Sequence, residues 1–400
     1  MRAKYAAKWG VQLAGMIFQT RSRQSETLHP VYRKDQNMAI YYITISALTG
    51  LGYLIEKKKK NNRQIIFYLG TAFAVFTFIA SFRYAIGFDY FSYRDLYDIM
   101  CSMSFLEILQ NYWYEPLYFM MTKFFGMLGC PFPTFLIFIN IFLIFVTMRF
   151  IYNHSRLPWL SIYLYITLQF LAYNMNLIRQ SIGVAFFLLA YPHLKARKPA
   201  PYLIYTLIGG LFHNSLLLVF PLYFLLPKKY SWKIFLGLSL LALFTYFSFD
   251  YLFVYMQPFL PLKYAEYTIT YYWNSSTFIY VVPSVIYLVL IYLFRSRIQD
   301  TLSRTIYLNS AFYNLLISVF ITKHFILERF AIYPFVLSLI AIPDIAASSC
   351  SSLQQNRFSR IIFLLFGSAY FFFAVSKGFH NVYPYISLLD KIQSVPVQTL

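Results

Sequence analysis

The sequence predicts an all-α, polytopic integral membrane protein, and three observations carry that expectation. Hydrophobic residues make up 59% of the 400-residue chain and charged residues 12%, about half the charge of a soluble domain. Mean hydropathy is +0.55, and apolar runs long enough to cross a bilayer recur from residue 38 to the C-terminal region. Basic residues fall in short clusters between those runs, as they do in cytoplasmic loops of membrane proteins.

Taken in order, spans are expected near residues 38–55, 64–82, 132–150, 157–173, 178–194, 232–249, 276–294, 305–321, 330–347 and 360–374. The stretch 201–227 is too long for one crossing and carries Gly209, Gly210 and His213-Asn214-Ser215 at its centre. It reads as a hairpin of two helices, 201–212 and 214–227, which brings the total to about twelve transmembrane helices around an outward-facing cleft. An apolar helix over 115–129, bounded by Pro116 and by Pro131 and Pro133, is expected to be re-entrant or interfacial on the outer side.

Charge sets the orientation. With Lys57 to Lys60 in the cytoplasm, the cytoplasmic loops hold 18 Lys and Arg, whereas the longer outer segments hold nine together with nine of the 14 acids. Moving the count by one crossing would place the Lys195 and Lys228 clusters outside. The net charge of +20 is therefore a topological signal, and no nucleic-acid partner is expected. Cys101, Cys130 and Cys350 have no metal-type spacing and read as apolar filler. Residues 1–37 form a basic N-terminal extension outside the expected fold, with Met38 a candidate start, and residues 38–400 read as a single transmembrane domain.

Against this background, a few polar residues stand where spans meet the outer face. Arg83 closes the second span, and Asp89 follows in a stretch with Gly87, Tyr90 and Tyr93. Arg83 reads either as a snorkelling residue or as a site cation, and Asp89 either as a solvated loop acid or as a base. Arg179 lies in the first turn of an apolar span, between Asn176 and Gln180, where a helix start needs a cap rather than a guanidinium. Its planar fork suits phosphate, and pairing with an outer carboxylate is the alternative. His213 at the hairpin tip is a satisfied core histidine or a proton acceptor. Glu328-Arg329 reads as a solvated ion pair or a second cationic site, and Glu115 as a cap for the helix that begins at Pro116. No phosphate-cradling glycine loop, zinc-type histidine pair or nucleophile elbow is present, so the chemistry is expected to need neither metal nor cofactor.

These segments, in this order, resemble the EpsG family of exopolysaccharide polymerases, relatives in role of the Wzy polymerases. The resemblance rests on Ser81-Phe82-Arg83-Tyr84 with Gly87, Asp89, Tyr90 and Tyr93, on Glu115-Pro116-Leu117-Tyr118, and on Asn176-Leu177-Ile178-Arg179-Gln180-Ser181. It continues with Phe212-His213-Asn214-Ser215, Glu328-Arg329-Phe330 with Tyr333, and Tyr383-Pro384-Tyr385, and so covers about residues 38–387. Phe88 and Asn214 depart from the pattern, where the family usually carries a small polar residue and often a lysine.

The resemblance implies transfer of a growing glycan from its polyprenyl-diphosphate carrier to a sugar hydroxyl of an incoming repeat unit, at the outer face of the bacterial cytoplasmic membrane. It implies diphosphate contacts from Arg83, Arg179, Gln180 and Arg329 and proton acceptance by Asp89 and His213. Glu115, Asn176, Glu328 and Tyr93 are secondary candidates, and Tyr264, Tyr267, Tyr271, Tyr272 and Trp273 are candidates for stacking on sugars. The partners implied are lipid-linked oligosaccharides, membrane lipids, and the flippase and chain-length regulator of the same pathway. A polysaccharide ligase, an acyltransferase using His213 and Ser215, and a lipid-linked oligosaccharide flippase are the competing functions.

Overall fold

A computed structural model of the protein describes residues 38–57, 61–111, 115–256, 278, 281–347 and 353–388. Residues 1–37, and with them the extension, lie outside the described residues, as do Tyr264, Tyr267, Tyr271, Tyr272, Trp273 and Cys350. Among the described residues the regular structure is helical, apart from one isolated antiparallel bridge between Arg83 and Ser387.

The first helices are α1 (Ala39–Lys57), α2 (Asn62–Ser81), α3 (Tyr90–Ser102), α4 (Phe105–Asn111), α5 (Pro116–Met127), α6 (Phe132–His154), α7 (Pro158–Thr167) and α8 (Phe170–Asn176). They continue as α9 (Ile178–Lys195), α10 (Pro199–Phe212), α11 (Trp232–Met256), α12 (Val282–Phe294), α13 (Thr301–Ile321), α14 (Glu328–Phe335), α15 (Ser338–Ala347) and α16 (Leu353–Ser376). Among the described residues six stretches are long and apolar enough to cross a membrane: α1, α2, α6, Trp232–Tyr255 of α11, Phe325–Ala347, and Phe358–Ser376 of α16. At 1.5 Å per residue the 23 residues of α6 reach about 35 Å, enough for a hydrocarbon core of about 30 Å. Their flanks leave Phe67, Phe145, Phe244, Phe247 and Leu365 exposed. Water would penalise that surface and lipid would not. The chain is a multi-pass membrane protein.

Three expected spans are not continuous helices. The stretch 157–173 breaks between α7 and α8, because Gln169 takes a left-handed conformation (φ 69°) and its side-chain oxygen accepts from the Tyr383 hydroxyl at 2.7 Å. The second limb of the hairpin is two short turns, Ser215–Leu218 and Leu222–Leu225, divided at Pro221, which has no N–H to carry the helix on. The stretch 330–347 is divided between α14 and α15 and holds Pro334 and Pro343 within its two helices. Hydropathy finds such segments but does not register a backbone turn inside them. The first limb of the hairpin is as expected, with α10 ending at Phe212. A Cβ at Gly209 would lie 2.5 Å from atoms of Leu216 and Phe186, and one at Gly210 would lie 2.3 Å from Leu217, so the tight return depends on both glycines.

The chain forms two compact units. Among the described residues the first comprises those within 38–148, 166–181 and 371–388, and the second those within 149–165 and 182–370.

In the first unit the C-terminal tail is laced to the start of the fold. Tyr84 N–H donates to Ile386 O at 2.9 Å, Leu388 N–H to Phe82 O at 2.8 Å and Gly87 N–H to Asn381 O at 3.0 Å. The Tyr41 hydroxyl donates to Val382 O at 2.8 Å, and that of Tyr385 to Ile79 O at 3.0 Å. These bonds satisfy backbone groups of a non-helical segment that would otherwise be costly to bury.

In the second unit polar side chains tie helices together. Ser284 and Ser318 join α12 to α13 at 2.8 Å, and Asn314 Nδ2 on α13 donates to Ala331 O on α14 at 3.0 Å. Asn309 Nδ2 reaches the carbonyls of Leu226 and Lys228, each at 2.8 Å, closing the chain after the hairpin. Ion pairs Arg156–Asp344 (3.3 Å) and Lys195–Asp300 (2.9 Å) lie at the basic loops.

Candidate functional site

The residues singled out in the sequence fall into two groups, one in each unit. In the first unit α2 ends at Ser81, and the chain turns through Ala85 (φ 54°) and Gly87 (φ 99°) before α3 begins. A Cβ at Gly87 would meet Met175 O at 3.1 Å and Asn176 Cα at 3.3 Å. Both the positive φ and the close approach to the end of α8 therefore require glycine.

Arg83 sits inside this turn. Its side chain has no exposed surface. Nη1 donates to Ala80 O and Nη2 donates to Met175 O at 2.9 Å, so the guanidinium bridges the last turn of α2 to the end of α8. Burial lowers its pKa to about 10, which leaves it charged at neutral pH. The sequence reading gave Arg83 either a snorkelling role or a diphosphate contact. Both outer nitrogens are committed to carbonyls, and it acts as a buried clamp.

Asp89 is the residue before α3, where a carboxylate would ordinarily cap the helix, but its side chain makes no cap bond. It is half-buried, and its backbone N–H donates to Asn176 Oδ1 at 3.2 Å. The Asn176 amide nitrogen in turn lies 3.3 Å from Nδ1 of His380. Asn176 is thus the joint between the turn after Gly87, the end of α8 and the tail. His380 was missed in the sequence reading. The signal available was the repeat of Phe-His-Asn, at Phe212-His213-Asn214 and again at Phe379-His380-Asn381.

Arg179, in the first turn of α9, pairs with Glu115 at 2.5 Å, with side chains 25% and 3% exposed respectively. Its guanidinium carbon lies 5.8 Å from the ring centres of Tyr93, Tyr118 and Phe119. Glu115 does not cap α5, as the sequence suggested. It precedes Pro116 without a cap bond, and its carboxylate is drawn to the guanidinium because a charge at 3% exposure is costly without a counter-ion. Of the two expectations for Arg179, pairing with a carboxylate is seen, the partner being Glu115. Arg179 is nonetheless only partly enclosed, and a quarter of its side chain is open. Tyr93 is buried, and its hydroxyl accepts from the backbone N–H of Arg179 at 3.4 Å, a weak bond. Gln180 is buried beside it.

In the second unit His213 follows the last residue of α10 in an extended conformation (φ −155°) and is 7% exposed. Ser215, two residues on, shares a hydrogen bond of 2.8 Å with the Tyr333 hydroxyl. A Cβ at Gly183 would lie 3.0 Å from that hydroxyl oxygen and 3.6 Å from His213 Cβ, so Gly183 leaves the space in which Tyr333 and His213 approach each other. Tyr333 is on α14, one turn beyond Arg329, and Glu328 and Arg329 at the start of that helix are both half-buried. Lys323 and His324, just before, pair with Asp250 at 2.7 Å and 3.0 Å. Among the described residues no group of three or more His, Cys, Asp or Glu is placed to hold a metal ion.

Apolar spans, a buried guanidinium clamp and a partly open arginine held by a carboxylate and three rings define a multi-pass membrane protein with a prepared cationic position. Residues 65–387 match the EpsG family, and the chain belongs to it. Residues 1–29 match a second family, one of unknown function (DUF6783). No curated protein and no solved structure matches the chain.

Proposed function

We propose that this protein polymerises polyprenyl-diphosphate-linked oligosaccharide repeat units into exopolysaccharide or capsule at the outer face of the bacterial cytoplasmic membrane. The observation that carries the reading is Arg179, a cation positioned in advance by Glu115 and three aromatic rings, in a chain of the EpsG family. In the reaction, the bond between the donor sugar's anomeric carbon and the carrier diphosphate breaks. A hydroxyl oxygen of the incoming unit bonds to that carbon, and its proton goes to a carboxylate or imidazole. Charge develops on the departing diphosphate, and fixed cations there supply the largest stabilisation.

In the first unit Arg179 is assigned to diphosphate, with Gln180 beside it, and Asp89 to the hydroxyl proton; in the second unit Arg329 and His213 are the candidates for the same two kinds of role. Positioned bases contribute about 10²–10⁴-fold. Arg83 holds the scaffold beneath Asp89. Twelve crossings, metal-independent chemistry, and cooperation with the flippase and chain-length regulator complete the proposal. Charge bias supports the crossing number, because the 18 basic residues then share one side.

The test is to delete the gene in its host, size the glycans and extract the lipid-linked pool. High-mass polymer should vanish while single lipid-linked units accumulate on the outer leaflet, and restored wild-type protein, but not Arg179→Ala, should extend them. Units trapped on the inner leaflet would make the protein a flippase, and unchanged polymer lacking a substituent would make it an acyltransferase.

A further inference from the structure

The first unit contains an imidazole to which the proposed chemistry gives no role. His380 follows α16 in a left-handed conformation (φ 60°), and the Tyr173 ring on α8 packs edge-on against it at 5.4 Å. Its Nδ1 faces the Asn176 amide nitrogen at 3.3 Å, and the Asn176 oxygen receives the Asp89 N–H at 3.2 Å.

Donor and acceptor roles in this chain are forced. The Asp89 N–H can only donate, so the Asn176 atom facing it is the oxygen. The Asn176 NH₂ then faces His380, and Nδ1 must accept. The imidazole is therefore neutral, with its proton on Nε2. A proton on Nδ1 would set two donors against each other. Asn176 could relieve that only by turning its amide, which would take the oxygen away from Asp89.

We infer that His380 is a positioning residue for Asp89: as an acceptor it fixes the Asn176 amide, and the amide oxygen fixes the backbone at Asp89. The inference rests on the proposed role of Asp89 as a proton acceptor. Among the described residues, the titratable groups in contact with this series of bonds include Tyr173 from α8, across the ring contact, and Asp89 itself. Gly87, whose N–H donates to Asn381 O at 3.0 Å, ties the same turn to the same tail by a second bond, so loss of His380 should loosen Asp89 without releasing it.

Two substitutions isolate the acceptor from the backbone, because both glycine and asparagine tolerate a positive φ. His380→Asn places an amide oxygen near the Nδ1 position, whereas His380→Gly provides no acceptor. The assay uses full-length protein in membranes and the lipid-linked glycan pool extracted from a deletion strain as the probe, and follows polymer formed per folded protein. His380→Asn should keep wild-type kcat, and His380→Gly should lose about tenfold in kcat, the worth of about one hydrogen bond, at unchanged KM. A wild-type kcat in His380→Gly would overturn the inference, as would equal losses in both variants or a loss confined to folded yield. Asp89→Asn is assayed in parallel. If it is active, the role of Asp89 fails. If it is inactive while His380→Gly is fully active, only the positioning role fails.

Discussion

Replacing Glu115 by Gln tests whether the carboxylate is what holds Arg179. Gln keeps the shape and one acceptor oxygen but removes the charge from a side chain that is 3% exposed, opposite a guanidinium that is 25% exposed. Two unit charges about 4 Å apart interact by about 4 kcal/mol at an effective dielectric constant near 20. Water at the open quarter of Arg179, and the desolvation that Gln no longer suffers, reduce the expected net cost to about 2 kcal/mol. The three rings do not replace the carboxylate, because at 5.8 Å each lies near the limit of about 6 Å, where the attraction is at the low end of about 0.5–1 kcal/mol. In detergent-solubilised protein the melting temperature should fall by about 3–5 °C. Arg179→Met should cost more than Glu115→Gln, since it leaves the more deeply buried partner uncompensated. The double variant should recover most of that loss, giving a coupling of about 2 kcal/mol. Strictly additive losses, or no change in Glu115→Gln, would refute the reasoning.

The same geometry sets three other expectations. Gly87→Ala should destabilise by about 2–3 kcal/mol, from backbone strain at positive φ and the approach to Met175 O, and should be read as lost folded protein in membranes. Arg83→Lys keeps the charge but cannot span both Ala80 O and Met175 O. Folded yield should drop with KM unchanged, whereas a full yield with a weakened KM would restore the diphosphate role. Burial lowers the His380 pKa from 6.5 to about 4, so the folded protein resists a proton that the unfolded chain accepts. That stability is complete above pH about 6.5 and is lost as pH falls towards about 4. The melting temperature should slope downward across this window in wild type, and less so in His380→Asn.

The sequence by itself determined the membrane class and the identity of most polar residues at the site. Hydropathy is a property of each segment alone, and it placed both ends of α1, α2 and α6, the start of α11 and the end of α16 within a few residues, while α11 runs on to Met256 and α16 begins as early as Leu353. Arg179 was conspicuous because a guanidinium in the first turn of an apolar helix has no local explanation. What the tertiary structure decided were the partners. Glu115 and Arg179 lie 64 residues apart, and nothing local tells a capping carboxylate from a counter-ion. Arg83 looked like an interfacial arginine because its neighbours in sequence are a span end and a loop. The carbonyl at Met175 that fixes it is 92 residues away. The break at Gln169 escaped for a related reason, since residues 159–173 around it hold no proline or glycine, whereas Pro334 and Pro343 were the available signal for the division between α14 and α15. His380 escaped because its role depends on Asn176, 204 positions earlier. Segment type follows from local chemistry, whereas pairing of buried charge and direction of each hydrogen bond depend on which distant backbone the fold brings within about 3 Å.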